Sequence, residues 1–314
     1  RQVRPPTAEP AVLLDFADGT PGEDVATVTN LGTLGADGNG TASHATGGAV
    51  RFSADVPGKN LYADQDTTER LTTEMKSIEF TAADIQHGGI VKIPGLGKTL
   101  CDYAVDDGAF TLEFFVKVAA DAAQWCDFVK FFYQSEASEN QQAKYVVWGG
   151  NVDQFGLQMN NSNPTSKTGI KKDVWYHLAA VYTKGEGDAA GQWKMYCNGD
   201  LYATQTGTIV GPGTTVDLCL GGASTTYECF SGKLAGLRVT DAALEPGQFL
   251  RADSLVCDMV PHLDEHINLC DKKWKNTVFV NCWWYRDGDK VEMWEKGKPL
   301  EVKLDRTIPD PLIF

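Results

Sequence analysis

No basic stripe, no apolar run long enough to cross a bilayer and no C-x-x-C pair occurs in this chain of 314 residues. Phosphate binding draws on clustered Lys and Arg that release counterions, so 42 acidic residues against 28 basic ones and a formal charge of −14 exclude nucleic acid as a natural partner. A membrane helix needs about 20 apolar residues in succession, and no such run is present. Residues 1–10 contain Pro5, Pro6 and Pro10 and lack the apolar core of a signal peptide. They read as a linker, or as a mature terminus from which a secretion signal has been removed. The acid surplus fits a secreted or cell-surface protein, or a surface with oxygen ligands for divalent cations, and fits equally an ordinary solvated face.

The eight cysteines also lack zinc-knuckle spacing. Cys197, Cys219 and Cys282 fall inside strand-like patterns, where a thiol behaves as a small apolar residue. Buried free thiols are the default expectation. One or two disulfides, for example within 257–282, stay open because an even count in an exported chain permits them.

What the chain does carry is β-strand patterning. Residues 110–117 (FTLEFFVK) alternate strictly, with Phe110, Leu112, Phe114 and Val116 on one face and Thr111, Glu113, Phe115 and Lys117 on the other. Residues 174–182 (VWYHLAAVY), 193–202 (WKMYCNGDLY) and 230–239 (FSGKLAGLRV) repeat the signal. Asn198-Gly199 supplies the hairpin turn, a pair that tolerates positive φ. Shorter strands are expected at 11–16, 49–53, 77–80 and 89–94, and further ones at 128–133, 144–148 and 154–159. Residues 95–107 read as a connection, 68–75 as a helical turn or two, and 242–252 as the one credible helix of any length. In the tail, 276–285, 290–295 and 300–304 read as three strands of a meander.

The Trp175-Tyr-His-Leu segment, the displayed Asn198-Gly199 and the closing strand at 234–241 together resemble the laminin G-like, concanavalin A-like jelly roll. The resemblance covers residues 11–252. It implies an all-β concanavalin A-like jelly-roll sandwich, with residues 253–314 as a small C-terminal β-meander module. That tail, through 290–300 (KVEMWEKGKPL) and Asp310-Pro-Leu312, is similar to the small module that ends secreted calcineurin-like phosphoesterases.

The resemblance implies a noncatalytic extracellular module that binds carbohydrate or protein. Two alternatives are a fragment or accessory part of a surface hydrolase, either a glycoside hydrolase or a metallophosphoesterase, and an adhesion or structural spacer. A glycan or an extracellular protein is the implied partner, with a catalytic domain of the same system as a further one. Calcium is the one cofactor the resemblance suggests, with Asp15 and Asp18 as oxygen ligands, although Gly236 stands where the family usually has an acidic residue. In a turn, the same two aspartates need no metal. Trp125, Trp148, Asn160 and Tyr227 flank loops and are the candidate glycan contacts, because sugar rings stack on aromatics and their hydroxyls need polar partners.

No catalytic set emerges. Glycosidases of this fold present two carboxylates on one strand face, as in Glu-x-Asp-x-x-Glu, and no such run occurs; Glu113 is isolated on its strand. A dinuclear phosphoesterase centre lacks its Gly-Asp-x-x-Asp and Gly-Asn-His-Glu ligand runs. His262-Leu-Asp-Glu-His266 fits the H-x-x-E-H spacing of a zinc peptidase, but it needs a helix and a third ligand and is followed by strand patterns. A polar linker carrying two histidines accounts for it.

Overall fold

The computed structural model describes residues 9–57, 75–122, 126–134, 142–149, 154–159, 165–207, 209, 217–222, 224–250, 279–280 and 283–284. The chain divides into two compact units, Pro6–Ala252 in one and Arg1–Pro5 with Asp253–Phe314 in the other. In the first unit β1 (Val12–Leu14), β2 (Thr27–Val28), β3 (Gly40–His44), β4 (Ala49–Ser53), β5 (Ser77–Thr81) and β6 (Gly89–Ile93) precede a short helix, α1 (Leu96–Asp102). β7 (Ala109–Val118), β8 (Cys126–Gln134), β9 (Gln142–Gly149), β10 (Gln154–Met159), β11 (Thr165–Thr168) and β12 (Trp175–Thr183) follow. β13 (Gln192–Cys197), β14 (Asp200–Thr206), β15 (Leu218–Leu220) and β16 (Gly232–Thr240) complete it.

These strands make two antiparallel sheets of eight. The first runs β14-β13-β12-β7-β16-β5-β4, with β1 also on β16, and the second runs β11-β10-β9-β8-β15-β6-β3-β2. Strands distant in sequence lie side by side, as when β16 pairs with β7 and β15 pairs with both β6 and β8. Between the sheets sits one core to which β7 gives Phe110, Leu112, Phe114 and Val116, β12 gives Leu178, Ala180 and Tyr182, and the second sheet gives Val91, Phe128, Val129, Phe155, Leu218 and Leu220. Phe128 meets Phe155 and Phe230 edge to face, with centroids 5.4 and 5.0 Å away, a geometry that aromatic quadrupoles favour. At the β13–β14 hairpin Asn198 and Gly199 both adopt positive φ (52° and 81°), as the sequence predicts. Asn198 also accepts the His177 amide on its Oδ1, at 2.9 Å.

Strand alternation hides one feature of β7. Its other face is buried too, for Thr111, Glu113 and Phe115 are each fully inaccessible. Phe115 packs with Val56, Met75, Trp175 and Ala235, and alongside it Ala179, Val181 and Tyr196 pack with Leu244 and Phe249. The outer face of the first sheet is therefore roofed by residues 55–57, 75 and 242–250. Polar bonds fix that roof. Thr111 Oγ1 donates to the Ala242 carbonyl at 2.7 Å and accepts the Leu244 amide at 2.9 Å. Glu113 takes four donors: Arg238 Nε at 2.5 Å and Arg238 Nη2 on Oε1, with His177 Nε2 at 2.8 Å and the Leu250 amide at 2.7 Å on Oε2. Arg238 Nη2 also reaches the Gln248 carbonyl at 2.6 Å. At the far side of the roof Asp55 accepts Lys117, Lys233 and the Trp175 indole N–H. Burial pushes its carboxyl up, and those three bonds together bring it below the usual carboxylate range.

Two local expectations are corrected. Residues 242–250 are not an α-helix but one 3₁₀ turn, Pro246–Gln248, flanked by extended Glu245 and Phe249. Their amides are committed elsewhere, those of Leu244 and Leu250 to β7, so the segment stays stretched across the sheet. Conversely, the connection at 95–107 contains α1 and a following π turn, Tyr103–Asp107, closed by Gly108 at φ 83°. Leu96, Leu100, Cys101 and Ala104 recur at spacings of three and four and bury one stripe against the core. In the second unit residues 276–285 are not one strand. Phe279–Val280 (β17) and Trp283–Trp284 (β18) pair antiparallel with each other, so the chain reverses between them. The expected turn at 68–74 and the His262–His266 pattern lie outside the described residues.

Cys197 and Cys219 are buried free thiols, as their strand-like settings predict, and Cys101, Cys126 and Cys229 are buried free thiols too, while Cys282 lies outside the described residues. Burial pushes the Cys101 and Cys197 thiols up to about 12, which keeps them protonated and inert.

Removing one member of a buried ion pair leaves the other uncompensated. Glu113→Ala is therefore expected to cost about 3–5 kcal/mol in urea unfolding, whereas Glu113→Gln, whose one amide oxygen still accepts on one side of the group, costs less. A loss under about 1 kcal/mol for the alanine variant would show that the clasp does not hold the roof.

Candidate functional site

On the second sheet Val129, Leu218, Leu220, Val91 and Ile93 face the core. Their neighbours Lys130, Cys219 and Lys92, registered across β8, β15 and β6, consequently face outward. Asp127 lies three residues before Lys130, which in a regular strand would set the two on opposite faces. A β-bulge between Asp127 and Val129 inserts one residue and brings both carboxyl and amine to the outer side. There Lys130 Nζ stands 2.8 Å from Asp127 Oδ2 and 2.5 Å from Glu228 Oε2, and the Lys130 side chain is almost wholly inaccessible.

Glu228 arrives from the loop 224–229. Gly221, at φ 84° with the Phe80 ring where a Cβ would stand, turns the chain out of β15. The Gly221 amide bonds the Phe128 carbonyl and the Phe230 amide bonds the Gly221 carbonyl, both at 2.9 Å, which draws the loop back to β8. Glu228 itself is left-handed (φ 54°), and its carbonyl accepts the Asp127 amide at 3.0 Å. On the other flank the Gly88 amide bonds the Thr225 carbonyl, and the Cys229 amide the Ile85 carbonyl, both at 3.0 Å. A loop tied on both sides presents Tyr227, whose residue surface is 51% exposed and whose ring has Lys130 Nζ 5.4 Å from its centroid.

Electrostatics bind these groups into one unit. Burial pushes the Asp127 carboxyl well above the usual carboxylate range, and its hydrogen bond to Glu228 adds to the effect, since two hydrogen-bonded carboxyls need a proton between them. For Lys130 burial works against the charge, but Asp127 and Glu228 outweigh it and hold the ammonium raised. The Tyr227 hydroxyl is raised first by the charge of Glu228, to which it is also hydrogen-bonded. The cluster is built to hold a surface, with an ammonium occupying the place a cation would take.

Of the residues singled out from sequence, Tyr227 belongs to this cluster. Trp148, on β9, is registered opposite Asp127 of β8 and Gly156 of β10. Trp125 and Asn160 lie outside the described residues. Asp15 and Asp18 stand in the turn after β1, where Asp15 Oδ1 accepts the Ala17 amide at 3.0 Å and Asp18 Oδ2 accepts the Thr29 hydroxyl at 2.6 Å. Lys76 Nζ reaches the Ala17 carbonyl of the same turn at 2.5 Å. Among the described residues no three His, Cys, Asp or Glu side chains group closely enough to hold a metal ion. Asp127, Lys130 and Glu228 were not legible beforehand, because the bulge that aligns the first two leaves no mark in the alternation.

Residues 95–248 match the model of the concanavalin A-like lectin/glucanases superfamily, of the laminin G type. This domain is a concanavalin A-like jelly roll. No curated protein matches the chain. Among solved structures it is similar to domain 4 of AbnA, an extracellular arabinanase from Geobacillus stearothermophilus solved with arabinotriose, at 19% identity and TM-score 0.48 over 77% of this chain and 97% of that one. It is also similar to the Ruminococcus gnavus sialidase CBM40 bound to sialyllactose, at 16% identity and TM-score 0.34 over 44% and 78% of the two chains. Botulinum neurotoxin type C is a third, at 12% identity and TM-score 0.42 over 88% of this chain and 54% of that one. No helix among the described residues of the jelly roll is long and apolar enough to cross a membrane.

Lys130→Met is expected to destabilise the domain by about 3–5 kcal/mol, since it leaves two carboxyls crowded at a largely buried place. Denaturant unfolding measures this, and pairing the change with Asp127→Asn is expected to recover part of the loss. A single variant as stable as the parent would mean the ammonium does not hold the loop to β8.

Proposed function

We propose that this jelly roll is a noncatalytic carbohydrate-binding module and that it holds sugar on the outer face of the second sheet, at Tyr227. The observation that carries the reading is a half-exposed aromatic ring clamped in place over a buried ammonium and beside two carboxyls. Sugar rings stack on such faces, and a ring that is already immobile spends little entropy on binding. Convergent polar groups at its edge suit hydroxyls. The superfamily's description as lectins and glucanases agrees with that chemistry. Trp148 lies on β9 in register with Asp127, and Tyr227 is the aromatic on which the reading rests.

In this reading the chain acts outside the cell, secreted or at its surface, as an accessory unit to a catalytic domain of the same system. Because Lys130 already neutralises the carboxyls, binding at Tyr227 needs no calcium. The test is a glycan array with the intact chain, run with calcium and again with a chelator, followed by titration of the best sugar against Tyr227→Ala. Binding is expected in both conditions, with a loss of about tenfold or more, about 1.4 kcal/mol, in the variant. Binding that vanishes with chelator would move the site toward the Asp15 and Asp18 turn, and undiminished binding by Tyr227→Ala would remove Tyr227 from it.

A further inference from the structure

We infer that the sugar held at Tyr227 runs on over the Asp84–His87 turn, and that this composite surface takes neutral sugars and turns away those that carry a carboxylate or a sulfate. The inference rests on the carbohydrate reading of Tyr227 and adds to it a second set of contacts and a class of ligand. Its basis is a pair of tight turns, side by side on the β6 flank of the second sheet and away from β9. One is closed by the antiparallel bridge of Asp84 with His87, the other by that of Ser224 with Tyr227. Backbone bonds stitch them together, for the Gly88 amide donates to the Thr225 carbonyl and the Cys229 amide to the Ile85 carbonyl, both at 3.0 Å. Gly88 approaches so closely that a Cβ there would stand 2.6 Å from the Cys229 Cβ. Behind the turns the Ala45 amide donates to the Gly88 carbonyl at 2.9 Å, and the Ala82 amide to Ser231 Oγ at 3.1 Å. The two turns therefore form one platform, anchored at the end of β3 and at the starts of β6 and β16.

The first turn is set for hydroxyls. Asp84 Oδ1 accepts the Gln86 amide at 2.7 Å and stands 2.9 Å from His87 Nδ1, with Oδ2 3.0 Å from the same nitrogen. Those bonds, the Gln86 amide first, hold the carboxyl below the usual carboxylate range, so it is ionised at neutral pH. Asp84 is thus fixed in place, yet its side chain stays 55% exposed, and a carboxylate offers about four acceptor sites, more than those donors fill. His87 spends Nδ1 on Asp84 and keeps Nε2 for a hydroxyl. Burial pushes the neighbouring Cys229 thiol up and the Asp84 charge adds to it, which marks how near that carboxylate lies to the turn bearing Tyr227. Charge then sets the class of sugar. The platform exposes Asp84 and part of Glu228, while the Lys130 ammonium beneath is almost wholly inaccessible and paired with Asp127 and Glu228. Lys92, further along β6, is engaged by Asp217 at 3.5 Å. An acidic sugar brought to this surface meets like charge, on a chain whose formal charge is −14.

The test titrates the intact chain with neutral oligosaccharides and with counterparts that carry a uronic acid, a sialic acid or a sulfate, and repeats the titrations with Tyr227→Ala, Asp84→Ala and Asp84→Asn. Neutral sugars are expected to bind about tenfold tighter than acidic ones, and the gap to narrow as salt is raised. Asp84→Ala is expected to lose about tenfold in affinity for the best neutral sugar. Asp84→Asn, whose amide oxygen still accepts the Gln86 N–H and so keeps the turn, is expected to let acidic sugars gain on neutral ones by about fivefold, the Coulomb effect of one like charge at about 4 Å in water. By NMR the bound sugar is expected to shift the Gln86 and His87 amide signals of the parent. Binding that falls in Tyr227→Ala but not in Asp84→Ala, with no shift at Gln86 or His87, overturns the extension and leaves the carbohydrate reading standing. Tighter binding of acidic than of neutral sugars overturns the ligand class. No binding of any sugar removes the reading and the extension together.

Discussion

The Glu113 carboxylate is the constraint on which the roofed sheet depends. It is wholly inaccessible, at the centre of β7, and accepts bonds from β16 through Arg238, from β12 through His177 and from the departing chain through the Leu250 amide. A carboxylate at that position is tolerable only because four donors replace its water. The consequence is specificity of path: residues 242–250 must lie where the Leu250 N–H and the Gln248 carbonyl meet the pair, and so they cannot wind into a helix. The Phe249 ring then covers His177, centroid to centroid 5.7 Å, and Tyr196 at 5.0 Å. Charge sets the route and apolar packing seals it.

The second buried charge cluster obeys the same rule with the opposite outcome. Around Lys130 the acceptors come from a bulged strand and the short 224–229 loop rather than from a long roof, so the face they stabilise ends in an exposed aromatic ring. Both sheets thus carry a buried ion network on the side away from the core. In one the network is closed by backbone and packed hydrophobics, which leaves nothing to bind. In the other it supports a displayed tyrosine. That asymmetry is the physical reason for seeking function on the second sheet.

Legibility in the sequence divides along the same line. Apolar patterning placed β7, β12 and β16, and Asn198-Gly199 fixed the hairpin, because those signals are local, although the strands prove to be buried on both faces. The helix α1 escaped notice since Gly95 and Gly97 mask a stripe of only four apolar residues. The expected helix at 242–252 failed for a nonlocal reason, the capture of its amides by β7. Tyr227 was recognisable as an aromatic beside a loop, yet its partners were not, for a bulge and a left-handed Glu228 are properties of pairing rather than of composition. Glu113 looked isolated along its strand and is the most heavily bonded carboxylate described here.

A buried lysine with two acids is an expensive way to hold a turn, since apolar residues of similar volume commonly serve as well or better. What an apolar plug cannot do is hold a charged loop residue against the sheet. Nor can it support a phenol by a hydrogen bond at its hydroxyl and a cation near its ring. The retention of so costly a trio beneath the exposed ring of Tyr227 is therefore better explained by what happens at the surface than by stability, and it joins the local chemistry of β8 to the function proposed for the loop.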